Sequence, residues 1–421
     1  MAFKADVYQN QYLAQGAKEV HAIMTVSADS ATVVGSGGRL FGIVCDTSGS
    51  MEGGKIRAAK AAIVRLIELI PNDASFFVVT GSQEAVVRFP ASPATPENRA
   101  HAIEWVKAIE ANGGTTISKW LLRARAEFAK MPDATRQAVL LTDGENEPAD
   151  EPILDEALAL CEGAFQCDCR GVGTDWKIAE LRKIAGKLLG TTDIIASPQQ
   201  IEADFSAILQ KAMGKSVSDV ALRLWTPSGA RVLFCKEVSP EIADLTGRAK
   251  QVKPQIQDFP TGAWAGNESR DYHFCIEVNP GAVGDEMLAG RASLIATSGG
   301  AETKLSEARI LAVWTDDEGQ STKIERHVAH YTGQAELAQS IQEGLEARAK
   351  GDTEMATAKL GKAVKIAYES GNEGTAKLLR TIVDVENPAE GTVRLKRGVA
   401  KEDEMALETR STKTSRIVKP A

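Results

Sequence analysis

No apolar run in these 421 residues is long enough to span a bilayer, and the N-terminus lacks a basic-then-apolar signal pattern. The chain is therefore expected in the cytoplasm. A disulfide framework is missing too: the six cysteines, Cys45, Cys161, Cys167, Cys169, Cys235 and Cys275, fall at no such spacing. Cys167-Asp168-Cys169 with Cys161 has the composition of a zinc set, but Cys167–Val172 reads as a central strand, where cysteine serves as a small hydrophobe. His327 and His330 lack the carboxylate or thiol spacing that completes a metal set. No Gly-rich loop ending in Lys-Ser or Lys-Thr marks a phosphate site. Net charge −8 and a pI near 5.4 argue against a general nucleic-acid or anionic-membrane partner.

What is present reads as an ordinary globular chain, 43% hydrophobic and 25% charged, with length for two or three domains. Leu40 to Cys45 is an apolar run of the kind buried on both faces of a parallel sheet. It ends abruptly in Asp46, Ser48 and Ser50, set at every second position and loosened by Gly49. That end of a strand is where open α/β sheets bind ligands. A carboxylate and hydroxyls are hard oxygen donors, the chemistry Mg²⁺, Mn²⁺ or Ca²⁺ prefers, but a single carboxylate is too little for a metal site. Further donors follow downstream. Asn112-Gly113-Gly114-Thr115-Thr116 delivers hydroxyls just before an amphipathic helix, and Ala138 to Gly144 is a second buried strand ending in Asp143. A phosphatase-type aspartyl nucleophile would need another carboxylate where Ser48 stands.

These segments together resemble the von Willebrand factor A (vWA) domain and its metal-ion-dependent adhesion site, whose pattern is Asp-x-Ser-x-Ser, a distant Thr and a distant Asp. Asp46, Ser48, Ser50, Thr115 and Asp143 match it in order, and Thr115 fits better than Thr116 because it follows the Gly pair directly. The resemblance covers residues 38–213. It implies a divalent ion at these residues, Mg²⁺ first and Mn²⁺ or Ca²⁺ as alternatives, and a protein partner that offers an Asp or Glu to it. Glu145 and Glu147 would repel the wrong acids or tune metal affinity; solvated loop charges are the simpler view. Asp175 is expected to cap the helix starting near Trp176, with an approach to the site as the other use.

From residue 40 onward strands and helices alternate, as in a doubly wound, mostly parallel α/β sheet of Rossmann-like type. After Ser216 the period changes. Val220–Trp225, Arg231–Phe234, Tyr272–Val278, Ala289–Ala296 and Ala308–Trp314 are short alternating runs between turns, the pattern of an antiparallel β-sandwich. Gln334 to Val383 turns helical, with breaks at Gly351-Asp352 and Gly371-Asn372. The expected parts are an N-terminal segment 1–37, a vWA domain 38–213, a sandwich 214–332, a C-terminal helical region 333–386 and a polar tail 387–421. Residues 1–19 are mixed and polar, whereas Val20–Val26 alternates in the manner of a sandwich strand. The vWA domain would then be an insertion, with chain crossings near 30–38 and 213–218. Disorder is expected for the basic, hydroxyl-rich end Ser411–Arg416, with a phosphothreonine-binding partner as an alternative use. This order of parts is similar to that of bacterial cytosolic vWA proteins, some of them associated with tellurite-resistance and stress-response gene clusters.

The function so implied is a metal-dependent protein-binding module or scaffold. The alternative is a metal-assisted hydrolase or phosphotransferase using the same ion as Lewis acid. No His, Lys or Cys is an obvious base or nucleophile near the motif, so the chain is read as a binder and not an enzyme.

Overall fold

The computed structural model describes residues 3–29, 38–174, 176–195, 198–298 and 300–416. The chain splits into two compact units, Val33–Ser218 and Met1–Thr32 with Asp219–Ala421. Of the expected crossings, residues 30–37 lie outside the described ones. Among the described residues no helix is long and apolar enough to cross a membrane.

Three strands come first, β1 (Phe3–Gln9), β2 (Tyr12–Ala14) and β3 (Glu19–Ala28). The α/β unit then runs β4 (Arg39–Asp46), α1 (Gly54–Leu69), β5 (Ser75–Gly81), β6 (Ala85–Pro93), α2 (Pro96–Lys107) and α3 (Ile117–Phe128). It continues with β7 (Thr135–Thr142), α4 (Glu151–Cys161), β8 (Gln166–Val172), α5 (Ile178–Lys187), β9 (Thr192–Ile195) and α6 (Pro198–Gly214). The sheet order is β6-β5-β4-β7-β8-β9, parallel throughout except for the β5–β6 hairpin at the edge. The chain builds outward from β4 to β5 and β6, then returns to build β7, β8 and β9 on the other side. A crevice opens at such a switch point, outside the carboxyl ends of the strands. Asp46 ends β4 and Asp143 follows β7, so topology alone delivers both carboxylates to that crevice.

Apolar residues on both faces of β4 and β5 let helices cover each side. Ile56, Ile63 and Ile67 of α1, Ala102 and Val106 of α2, and Leu209 of α6 share one core with Phe41, Ile43 and Val78. On the other face Phe77, Phe128 and Phe165 make ring contacts of 4.7 Å in series. Gly81 matters for a steric reason: a Cβ there would lie 2.3 Å from Cγ of the buried Trp120, whose Nε1 donates to Ser82 O at 2.7 Å. Gly81→Ala should lower the stability of this unit by about 1–3 kcal/mol, because overpacking outweighs the smaller gain from a stiffer unfolded chain. A urea midpoint equal to or above that of the parent would contradict the packing argument.

β10 (Lys215–Trp225) begins in the α/β unit and runs on into the other one, which adds β11 (Arg231–Ser239), β12 (Ala243–Asp244), β13 (Lys250–Lys253), β14 (Ile256–Ala265), β15 (Ser269–Glu277), β16 (Glu286–Ser298) and β17 (Ala301–Thr315). The helices α7 (Glu318–Ser321), α8 (Arg326–Ala349), α9 (Thr353–Glu369) and α10 (Glu373–Ile382) follow, then β18 (Val383–Asn387), β19 (Thr392–Leu395) and α11 (Lys401–Arg410). Two sheets, β1-β3-β15-β11-β12 and β13-β14-β10-β16-β17-β2, pack face to face. Phe3 meets Trp264 edge-on at 5.6 Å and the Arg270 guanidinium covers the same indole at 4.3 Å. Val20–Val26 lies within β3, which pairs antiparallel with β1 and β15. Its Val20, Ala22, Met24 and Val26 are buried in this unit. The helical breaks have a local cause. Gly351 and Gly371 take positive φ at helix ends, and the next residues, Asp352 and Asn372, accept N–H bonds from Met355 and Thr375 as caps.

Within the mixed, polar start of the chain, Phe3–Gln9 and Tyr12–Ala14 form strands, defined by their pairing with β3 and β17 more than by their own half-polar sequence. The segment 387–421 is not a bare polar tail: β18 and β19 form a hairpin, and Val393 and Leu407 join the core of α8, α9 and α10. The end expected to be disordered is docked through residue 416. Thr412 donates its hydroxyl to Glu241, Thr414 to Val238 O, and Arg416 grips Asp271 with contacts of 2.9 and 3.0 Å. Asp271 is buried and also accepts from Tyr331. Arg416→Ala should cost about 1–2 kcal/mol, the loss of a charged donor to a buried carboxylate discounted for the partial exposure of the arginine. An unchanged thermal midpoint would show that the tail contact carries no stability.

Candidate metal centre

Asp46 is fully buried where β4 ends. Its Oδ1 accepts the Ser48 N–H at 2.7 Å, and Oδ2 accepts the Thr142 hydroxyl from the neighbouring strand. Burial pushes the Asp46 carboxyl above the usual carboxylate range, the bonds from Ser48 and Thr142 pull it back, and the nearby Asp143 pushes it up again. The loop after β4 is pinned on two sides. Thr47 donates its N–H and hydroxyl to Gly81 O at 2.7 and 3.1 Å, and Gly49 N–H reaches Gly113 O at 2.8 Å. Asn112 N–H in turn donates to Thr47 O at 2.7 Å, which locks the Gly-Gly-Thr loop to the Asp46 loop.

The sequence-predicted residues converge. Ser48 Oγ lies 3.0 Å from Ser50 Oγ, and Ser50 donates to Asp143 Oδ1 at 2.8 Å. Gly144 marks their common volume: a Cβ on it would stand 3.2 Å from Ser50 Oγ, 3.4 Å from Thr115 Oγ1 and 4.0 Å from Asp46 Oδ2. Thr115 is buried and supplies its hydroxyl to this cradle, whereas Thr116 uses its N–H on Ser82 O. A cradle of carboxylate and hydroxyl oxygens, with no thiol or imidazole in it, fits a small hard divalent cation.

Sequence reasoning overlooked several participants. No lysine was expected near the motif, yet Lys55, in the first turn of α1, donates to Asp143 Oδ2 at 2.5 Å. The oversight arose because a helix start nine residues after Asp46 folds back over the strand ends, a proximity that only the β4–α1 turn creates. Thr142, Asn146 and Asp150 were missed as well. Asn146 Oδ1 accepts Ile117 N–H at 2.9 Å and Asp150 accepts Ser118 N–H at 2.9 Å, so both secure the start of α3 behind Thr115. Glu147 places its carboxylate against Gly114, and Glu145 pairs with Lys177 at 3.0 Å. Asp175 lies outside the described residues.

The weaker candidates have other employment. Cys161, Cys167 and Cys169 are buried, and Asp168 between the last two accepts from Gln137 and Thr191. Burial opposes ionisation of Asp168, but Arg170, Lys215 and Lys211 hold its carboxyl below the usual range. His327 stacks on Tyr8 at 3.7 Å and bonds Glu325, while His330 bonds Ser415 O.

Asp143 is buried and Lys55 brings a cation to it, so Lys55→Met should destabilise the metal-free α/β unit by about 1–3 kcal/mol. Urea unfolding in chelator is the measurement, and an unmoved midpoint would contradict the assignment.

Comparison with known proteins gives these parts a family. The von Willebrand factor type A domain model matches residues 41–145, from β4 through the Asp143 loop. A von Willebrand factor type A C-terminal domain model matches residues 365–411, which include the hairpin and α11. A solved von Willebrand factor type A protein from Catenulispora acidiphila is 46% identical, with a TM-score of 0.93 over 99% of this chain and 97% of that one. The ArnB paralog VWA2 from Sulfolobus acidocaldarius, 14% identical with a TM-score of 0.59 over 98% of both chains, shares the fold. An uncharacterised Synechocystis protein is 29% identical over 48% of this chain, and human inter-alpha-trypsin inhibitor heavy chain H4 is 29% identical over 34%. The chain spans 49% and 16% of the length of those two relatives. On the strength of the full-length match, this chain belongs to the von Willebrand factor type A family.

Proposed function

We propose that the chain is a metal-dependent protein-binding module, and that Asp46, Ser48, Ser50, Thr115 and Asp143 hold a Mg²⁺-type ion. The observation that carries this reading is the cradle beside Gly144, where hydroxyls from two loops and the Asp46 carboxylate face one small volume. A divalent ion bound there would supply an open position for an Asp or Glu of a partner protein. Few protein carboxylates and several retained waters are the habit of Mg²⁺, while Mn²⁺ or Ca²⁺ would use the same oxygens. Lys55 supports the reading indirectly, since its ammonium already answers the Asp143 charge. Family membership adds to it, because vWA domains are typically metal-dependent interaction modules.

The groups around the crevice are holders and not proton carriers. Thr142 and the Ser48 N–H orient Asp46, Ser50 and Lys55 orient Asp143, and Asn146 and Asp150 anchor the helix that presents Thr115. The histidines sit on α2 and in the sandwich-and-helix unit. General acid–base help normally accompanies a metal in hydrolysis, so binding is the reading these residues favour over a hydrolase or phosphotransferase.

Calorimetry with Mg²⁺ on the parent and Asp46→Ala tests the site: binding should vanish in the variant. Unchanged affinity would overturn the assignment. A pull-down with and without EDTA tests the function, and a partner retained equally in EDTA and by Asp46→Ala would exclude metal-mediated capture.

A further inference from the structure

The outer face of the five-stranded sheet carries a second group of ligand-type side chains that the proposed function does not use. β3 and β15 pair so that His21 stands opposite Cys275, with Glu19 one pleat along on the same face. His21 Nε2 is 3.6 Å from Cys275 Sγ and 3.6 Å from a Glu19 carboxylate oxygen. The ligand atoms of all three lie within 4.8 Å of one another. A tetrahedral zinc ion with ordinary bond lengths sets nitrogen–sulfur and nitrogen–oxygen edges of about 3.6 and 3.4 Å. The two observed spacings from His21 Nε2 lie close to those edges.

Two further features belong to a built site. His21 Nδ1 lies 3.3 Å from Nε2 of the buried His273, which turns the ring so that Nε2 faces Cys275 and Glu19. Metal-binding histidines are fixed in ring orientation by such a bond to the other nitrogen. Access is also provided: Cys275 is buried, but the His21 and Glu19 side chains are 40% and 61% exposed. Glu277, opposite Glu19, is engaged by Arg231.

We propose that Glu19, His21 and Cys275 bind a Zn²⁺-class transition metal, with His273 as the positioning residue for His21. Thiolate and imidazole favour such ions over Mg²⁺, so donor type separates this site from the all-oxygen cradle at Asp46. On coordination the Cys275 S–H bond is replaced by a sulfur–metal bond and the proton passes to solvent.

The test is a Co²⁺ titration of the reduced, metal-free full chain, followed by thiolate-to-cobalt charge-transfer absorbance. One equivalent should develop the band, Zn²⁺ should displace it, and Asp46→Ala should retain it. Cys275→Ser should abolish it. Glu19→Gln, a change at an exposed side chain that spares the fold, should weaken Co²⁺ affinity about tenfold or more. No charge-transfer band in the parent chain, or a band undiminished in Cys275→Ser, would overturn the site and leave these histidines as packing partners of Phe234. An unweakened Glu19→Gln would remove Glu19 from the ligand set and refute the three-ligand assignment.

Discussion

Two buried carboxylates on neighbouring strands are the constraint from which the rest of the α/β unit follows. Asp46 closes β4 and Asp143 follows β7, and neither is exposed to water. Taking a carboxylate out of water costs several kcal/mol unless donors or cations replace the lost hydration. The donors are therefore local and specific: the Ser48 N–H and Thr142 hydroxyl for Asp46, the Ser50 hydroxyl and Lys55 ammonium for Asp143. A divalent ion would answer both charges at once. That is why the hydroxyls of Ser50 and Thr115 and the missing side chain of Gly144 belong to the same argument as the acids.

The fold serves this constraint through its switch point and its close approaches. The strand order reverses between β4 and β7, so the crevice above them opens without any loop having to carve it. Gly81 admits Trp120 beside the Asp46 loop, and Gly113 takes a positive φ to offer its carbonyl to Gly49. Loops tied to each other by backbone bonds hold their hydroxyls more firmly than free loops would, and a preorganised donor set binds without a further ordering cost.

How much of this was legible in the sequence depended on whether the signal was local. Asp46, Ser48 and Ser50 stood out because a fully apolar strand stops at donors spaced by two, and Asp143 because a second such strand ends the same way. Thr115 was legible from the Gly pair before it. Lys55 was not, because its place in the first turn of α1 says nothing about which strand end it overlies. β1 and β2 carry no strong pattern of their own, since edge strands half exposed to solvent need no continuous apolar run. The tail was misjudged for a related reason: polar composition predicts solvation, but Thr412, Thr414 and Arg416 find specific acceptors on β11, β15 and the segment after β11. Cys275 lies more than two hundred residues from Glu19 and His21 in sequence and meets them only through the β3–β15 register, which no local pattern encodes.

The most direct measurement of the central claim is anomalous diffraction from a crystal soaked in Mn²⁺. The account predicts a manganese peak in the crevice at the ends of β4 and β7, bounded by Asp46, Ser48, Ser50, Thr115 and Asp143. A crystal saturated with Mn²⁺ that shows no peak there, with Lys55 still bound to Asp143, would contradict it.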